Sequence, residues 1–208
     1  MIKRYENADA EKSEIARYLG YRDTKPDEAV SKLILEMTDK LECDFKVCYQ
    51  PLEVLKNDGE AIDFGCFSAK SRDLAKFIGD NKEAVLFCAT IGIEFDRLMK
   101  KTIVFSESKA VVLQAVGTAY IEALCDLFCG EFCTKARFSP GYGDLDISVQ
   151  KEIFKILSPE KNIGVSLTDS MLMTPTKSVT AIMIPNKNGG TDCGNCDKRK
   201  NCTFRKVL

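Results

Sequence analysis

The stretch AVLFCATIGIEFDRLMKKTIVFSESKAVVLQAVGTAYIEALCDLFCGEF, residues 84–132, decides the architecture. Residues 84–91 form an unbroken apolar run, the pattern of a central strand with no solvent face. Gly92 permits a tight turn. A helix bearing Phe95, Leu98 and Met99 follows, and residues 111–132 then read as the longest helix. On it Gln114, Thr118, Glu122 and Asp126 recur every four residues along one slowly drifting face. Val112, Leu113, Ala119, Ile121, Leu124 and Leu127 surround them. With Gln114, Glu122, Asp126 and Glu131 among residues 110–133, it reads as a buried core helix, not a membrane span.

Working outward, residues 9–19 read as a helix ended by Gly20. Lys25-Pro26-Asp27-Glu28 opens another, with an apolar face of Ala29, Leu33, Leu35, Met37 and Leu41. Residues 45–49 alternate like a strand, and 61–67 do so more weakly. Ser68 or Ser71 caps a short helix running to Ile78. Downstream, residues 137–143 form a loop, Asp146 caps a helix over 148–157, and 179–184 form a late strand. Helices and strands mix without a βαβ rhythm. The expectation is an α+β fold, a single domain with a long central helix packed on a mostly antiparallel twisted sheet. That domain is expected over 1–186, with a cysteine-containing tail over 187–208.

The composition fits one domain of 208 residues, at roughly 150 residues per domain. At 45% apolar and 29% charged, the chain is neither disordered nor low-complexity. Thirty basic against 31 acidic residues leave a net charge of −1, which removes the usual driving force for nucleic acid or an anionic membrane. The chain contains no histidine. That excludes a Ser-His-Asp or Cys-His nucleophile, histidine-based zinc catalysis and a histidine ligand to haem or corrinoid. Ten cysteines and an N-terminus without an apolar leader point to a reducing, cytoplasmic setting.

Three groups carry candidate chemistry. In Arg137-Phe-Ser-Pro-Gly-Tyr-Gly143, the arginine fork suits a carboxylate or phosphate. Gly141 and Gly143 bare the backbone beside Tyr142, which offers a flat face and a hydroxyl. Such a loop can clamp a small zwitterion with an aromatic base; the plain alternative is a turn built from Gly and Pro. Glu122 is either a positioned acid facing a pocket or part of a solvated stripe, and Asp126 reads as the latter. The tail holds Cys193-x-x-Cys196-x5-Cys202, a thiolate spacing for zinc or an iron–sulfur cluster, or simply reduced thiols. Cys125, Cys129 and Cys133, spaced by four, read as core packing.

The runs RFSPGYGDLDISVQKEIF and SLTDSMLMTPTKSV resemble the activation (reactivation) domain of cobalamin-dependent methionine synthase. The first holds the R-x-x-P-G-Y loop as Arg137, Pro140, Gly141 and Tyr142. The second holds Thr168, Asp169, Ser170, Met173, Pro175, Ser178 and Val179. The resemblance implies that domain's fold and an S-adenosylmethionine site. It implies that Arg137 contacts the donor's carboxylate, that the backbone of Ser139 and Gly141 and the side chain of Tyr142 surround the adenosyl part, and that Glu122 stands where the family has a ligand-contacting Glu. An N-terminal aspartate and a late tyrosine of the family's site have no counterpart here. The implied role is reductive remethylation, in trans, of cobalamin held by a corrinoid protein or a truncated methionine synthase. A flavodoxin- or ferredoxin-type reductant would supply the electron, and no residue of this chain need act as nucleophile or base. The alternatives are a metal- or iron–sulfur-binding redox accessory protein working through its tail, and a non-catalytic S-adenosylmethionine sensor.

Overall fold

The apolar run at residues 84–91 becomes the middle strand of the main sheet. The computed structural model describes residues 1–22, 24–134 and 136–185. Along the chain lie β1 (Ile2–Tyr5), α1 (Lys12–Tyr18), α2 (Glu28–Lys40), β2 (Phe45–Glu53), β3 (Lys56–Asn57), β4 (Ala61–Asp63), β5 (Ser68–Lys70), α3 (Arg72–Ile78) and β6 (Glu83–Thr90). Then follow α4 (Glu94–Phe105), α5 (Glu107–Gly130), β7 (Arg137–Phe138), α6 (Val149–Leu157), α7 (Pro159–Ile163), β8 (Ser166–Leu167), β9 (Met173–Thr174) and β10 (Ser178–Met183).

The main sheet runs β1-β2-β6-β10-β7, with every neighbouring pair antiparallel. All of β6 except Glu83 is buried because both sheet faces are covered. Val85, Phe87 and Ala89 enter a core shared with α1, α2, α4 and α5. Ala84, Leu86 and Cys88 enter a second core shared with α3, α6 and α7. The fold is thus α+β, with a long helix on an antiparallel sheet, as the sequence implies.

α5 begins where Ser106 accepts a hydrogen bond from the Lys109 amide. By length and composition it could cross a membrane, yet more than half of its most apolar stretch is buried in the fold. Gly117 lets α4 approach closely, since a Cβ there would overlap the Phe95 ring.

Several local expectations need correction. α5 stops at Gly130, and Cys133 lies beyond it, exposed and at φ 54°, so it is not a core residue. Cys125 and Cys129 are core residues; burial pushes both thiols up, Cys129 to about 11. α2 starts at Glu28, because Asp27 accepts from the Val30 amide at 2.8 Å and makes the cap, leaving Pro26 outside. It buries Ile34 and Met37, while Leu35 is exposed. Ser71, not Ser68, caps α3, accepting from the Leu74 amide at 2.9 Å. Asp146 does not cap α6: its carboxylate accepts from the Ser148 amide inside the preceding turn.

Candidate ligand site

Glu122 and Asp126 lie one helical turn apart on α5. Past the helix the chain reverses and returns as β7, which pairs with the far end of β10 through Ile182↔Phe138 and Met183↔Arg137. That return carries Arg137 onto α5. Its Nη1 donates to Asp126 Oδ1 at 2.7 Å, and its Nη2 donates to Glu122 Oε2. These are charge-assisted bonds in a mostly enclosed place, with side chains 15% (Arg137), 22% (Asp126) and 35% (Glu122) exposed. Burial works against the guanidinium cation, but the negative groups facing it, Glu122 and Asp126 among them, outweigh this and raise its pKa. One cation between two carboxylates gives the cluster a formal charge of −1.

The loop after Arg137 is held by its own backbone. Gly141 (φ +87°) donates to the Leu145 carbonyl at 2.8 Å, and the Tyr142 amide donates to Ser139 at 3.1 Å. Gly143 sits at φ +56° where a Cβ would collide with the Asp73 carboxyl, so only glycine fits. The Asp144 carboxylate then accepts from Ser71 Oγ, from the Arg72 amide at 2.8 Å and from the Asp73 amide at 3.1 Å. The Ser71 bond first, then these amides, hold it below the usual carboxylate range. The loop is thereby pinned to the start of α3, and Tyr142 stands 69% exposed.

β7 covers β10 only at Ile182 and Met183, so among the described residues the β10 edge at 178–180 has no strand partner on that side. A cavity of about 330 Å³ opens there. Glu122, Arg137, Ser139, Pro140 and Tyr142 line it together with Gln150 of α6, Met173 of β9 and residues 178–180 of β10. Ser178 Oγ is fixed within 2.8 Å of the Pro175 carbonyl and 2.9 Å of Thr90 Oγ1. Thr168 Oγ1 accepts from the Leu172 amide at 3.0 Å and shapes the turn between β8 and β9. The two sequence blocks therefore meet at one cavity. Two buried oxygens on its lining residues, Gln150 Oε1 and Thr180 Oγ1, have no hydrogen-bond partner among the described residues.

Of the residues singled out from sequence, Glu122, Arg137, Ser139 and Tyr142 line the cavity, and Gly141 forms the turn between them. Asp126, read as a solvated acid, is instead the second partner of Arg137; its place one turn after Glu122 was the available signal. Gln150 and Thr180 were missed. Their signal was a polar residue at the buried spacing Gln150, Ile153, Leu157, and another inside the otherwise apolar 179–184. Cys193, Cys196 and Cys202 lie outside the described residues. Among those described, no group of three His, Cys, Asp or Glu is placed to hold a metal.

The fold defines the class: an α+β domain built like the reactivation domain of MetH. The chain matches the crystal structure of the MetH reactivation domain bound to AdoHcy with a TM-score of 0.64, at 15% identity, over 91% of this chain and 80% of that one. Residues 122–191 match the family described as vitamin B12 dependent methionine synthase, activation domain. The chain thus resembles that activation domain in fold along nearly its whole length and in sequence from Glu122 onward. No curated protein sequence matches it.

Proposed function

We propose that this chain is an S-adenosylmethionine-binding module that serves the reductive remethylation of a corrinoid held by a partner protein. The observation that carries the reading is the cavity at the open edge of β10, where Glu122, an arginine also held by Asp126, an exposed tyrosine and two oxygens without a partner among the described residues converge. Its size lies within the range of about 300–1,000 Å³ usual for small-molecule sites. The AdoHcy held by the structural neighbour supports the same ligand class.

The charge pattern suits a cationic zwitterion. Arg137 already spans two carboxylates, so ligand binding exchanges partners. Glu122, the more exposed acid, turns to the ligand's ammonium, while Arg137 keeps Asp126 and takes the ligand's carboxylate. The excess negative charge favours the sulfonium over its neutral demethylated product. Tyr142 offers its ring to the base, with the Ser139 and Gly141 backbone beside it. The partner's cobalamin, once reduced by a flavodoxin- or ferredoxin-type donor, supplies the nucleophile for the methyl group. The chain's own residues contribute position and exclusion of water, and none acts as base or nucleophile. The tail cysteines Cys193, Cys196 and Cys202 hold zinc or an iron–sulfur cluster in this reading, and the protein works in the cytoplasm.

The test is methyl transfer from labelled S-adenosylmethionine to a purified corrinoid protein under a low-potential reductant. Transfer that depends on this chain and fails with Arg137→Ala is expected. Equal transfer with and without the chain contradicts the reading.

A further inference from the structure

The charged cluster accounts for one end of the cavity but not for the two unpartnered oxygens at the other. Thr180 is 2% exposed and Gln150 is 5% exposed. On β10 the side chains alternate. Ala181 and Met183 join the core beneath α5, and Ile182 joins the opposite core beneath α6. Thr180 shares the parity of Ile182 and therefore points toward α6. Gln150 lies in the first turn of α6, on the side that buries Ile153 and Leu157. The cavity thus straddles the edge of the sheet, with Glu122 and Arg137 on the α5 side and Gln150 and Thr180 on the α6 side.

Buried polar atoms are nearly always hydrogen-bonded, and leaving one unpaired is costly. An isosteric valine at 180 and a leucine at 150 would remove that cost. Two such oxygens on separate elements, meeting at one cavity, mark a place where a ligand supplies the missing partners. Both groups are neutral. Gln150 Oε1 accepts only, and Thr180 Oγ1 donates or accepts. The charged ends of an amino acid have their charged partners in the Arg137 cluster, which leaves these two groups for the neutral part of the ligand.

We infer that Gln150 and Thr180 are specificity-determining residues that bind the neutral hydroxyl and amine groups of the ligand's nucleoside portion. This rests on the nucleoside-sulfonium reading given above. The pair makes the site select a nucleoside-bearing ligand over a bare amino acid, because a site with buried polar groups rejects ligands that leave them unpaired.

Calorimetry with S-adenosylhomocysteine, adenosine and methionine tests this on the full chain and on Thr180→Val, Thr180→Ser and Gln150→Leu. The wild-type chain should bind S-adenosylhomocysteine. Thr180→Val and Gln150→Leu should each lose about tenfold or more in affinity for it and for adenosine, with methionine binding unchanged. Without ligand both variants should melt at or above the wild-type temperature, since each loses an unpaired buried oxygen. Thr180→Ser, which keeps the hydroxyl, should retain affinity and so separates hydrogen bonding from shape. Undiminished S-adenosylhomocysteine binding by both Thr180→Val and Gln150→Leu overturns the inference alone. Failure of the wild-type chain to bind S-adenosylhomocysteine overturns the nucleoside reading beneath it.

Discussion

Arg137 reaches back fifteen residues to Glu122 and, from the same guanidinium, to Asp126 one turn further along α5. This closes the segment from the end of the long helix to the start of the R-x-x-P-G-Y loop into a single unit. The contacts that organise the cavity are the same ones the proposed zwitterionic ligand would rearrange. On that proposal, binding and local stability are coupled at Arg137.

Replacing Arg137 with alanine should weaken S-adenosylmethionine binding about tenfold to hundredfold, the equivalent of roughly 1.5–3 kcal/mol for a charge-assisted contact. It should also lower the melting temperature, because Glu122 and Asp126 are left without their shared cation. Lysine should rescue little, since an ammonium cannot span two carboxylates as a fork does. Asp126→Asn should lower stability by about 1 kcal/mol with a smaller effect on affinity. Equal binding by wild type and Arg137→Ala in calorimetry would remove Arg137 from the site.

Lys177 enters the fold beside the cavity at an electrostatic cost. Its Nζ donates to Thr118 Oγ1 at 2.7 Å and lies 5.1 Å from the centre of the Phe95 ring. Burial pushes its pKa down to about 8, with Asp96 opposing. The unfolded chain, with a lysine pKa of about 10.4, then binds more protons than the folded one between pH 8 and 10. The penalty is full below pH 8 and is relieved as pH rises through that window. Lys177→Met should raise stability at neutral pH by on the order of 1–3 kcal/mol, and the gap to wild type should close by about pH 10. A constant gap in urea denaturation from pH 7 to pH 10 would contradict this.

How much of this was legible beforehand differs by element. The strand at 84–91 and the long helix were readable because continuous burial on both faces leaves an unbroken apolar run. β1, β7, β8 and β9 are two to four residues long. They owe their pairing to longer strands or tight turns rather than to a periodicity of their own, so nothing in their composition announces them. At the site, the loop and Glu122 were legible from residue type and spacing. Asp126, Gln150 and Thr180 were not, because Asp126 meets Arg137 only through the return of β7, and Gln150 and Thr180 come together at the cavity only through the packing of α6 on the sheet.

Asp144 ties the loop to α3 through Ser71 Oγ and two backbone amides. Its carboxyl is held below the usual range, chiefly by the Ser71 bond. Its stabilising contribution is therefore present above the unfolded carboxylate pKa and is lost as pH falls through the lower folded value. Asp144→Asn should melt below wild type at pH 7, with the difference vanishing in strong acid, and should weaken ligand binding by freeing the loop. Identical melting curves at pH 7 would show the tie to be dispensable.

If Cys193, Cys196 and Cys202 bind metal, protein purified without oxygen should carry zinc or iron in up to stoichiometric amount. The triple serine variant should lose it while retaining the S-adenosylmethionine site. Metal-free wild-type protein would favour simple reduced thiols.

The most direct measurement is isothermal titration of the purified chain with S-adenosylmethionine, with and without a corrinoid protein. A saturable single site per chain, weakened by Arg137→Ala and occupied less tightly by the neutral demethylated product, is the expected result. No heat at millimolar S-adenosylmethionine under either condition would contradict the assignment of the β10-edge cavity as a donor site.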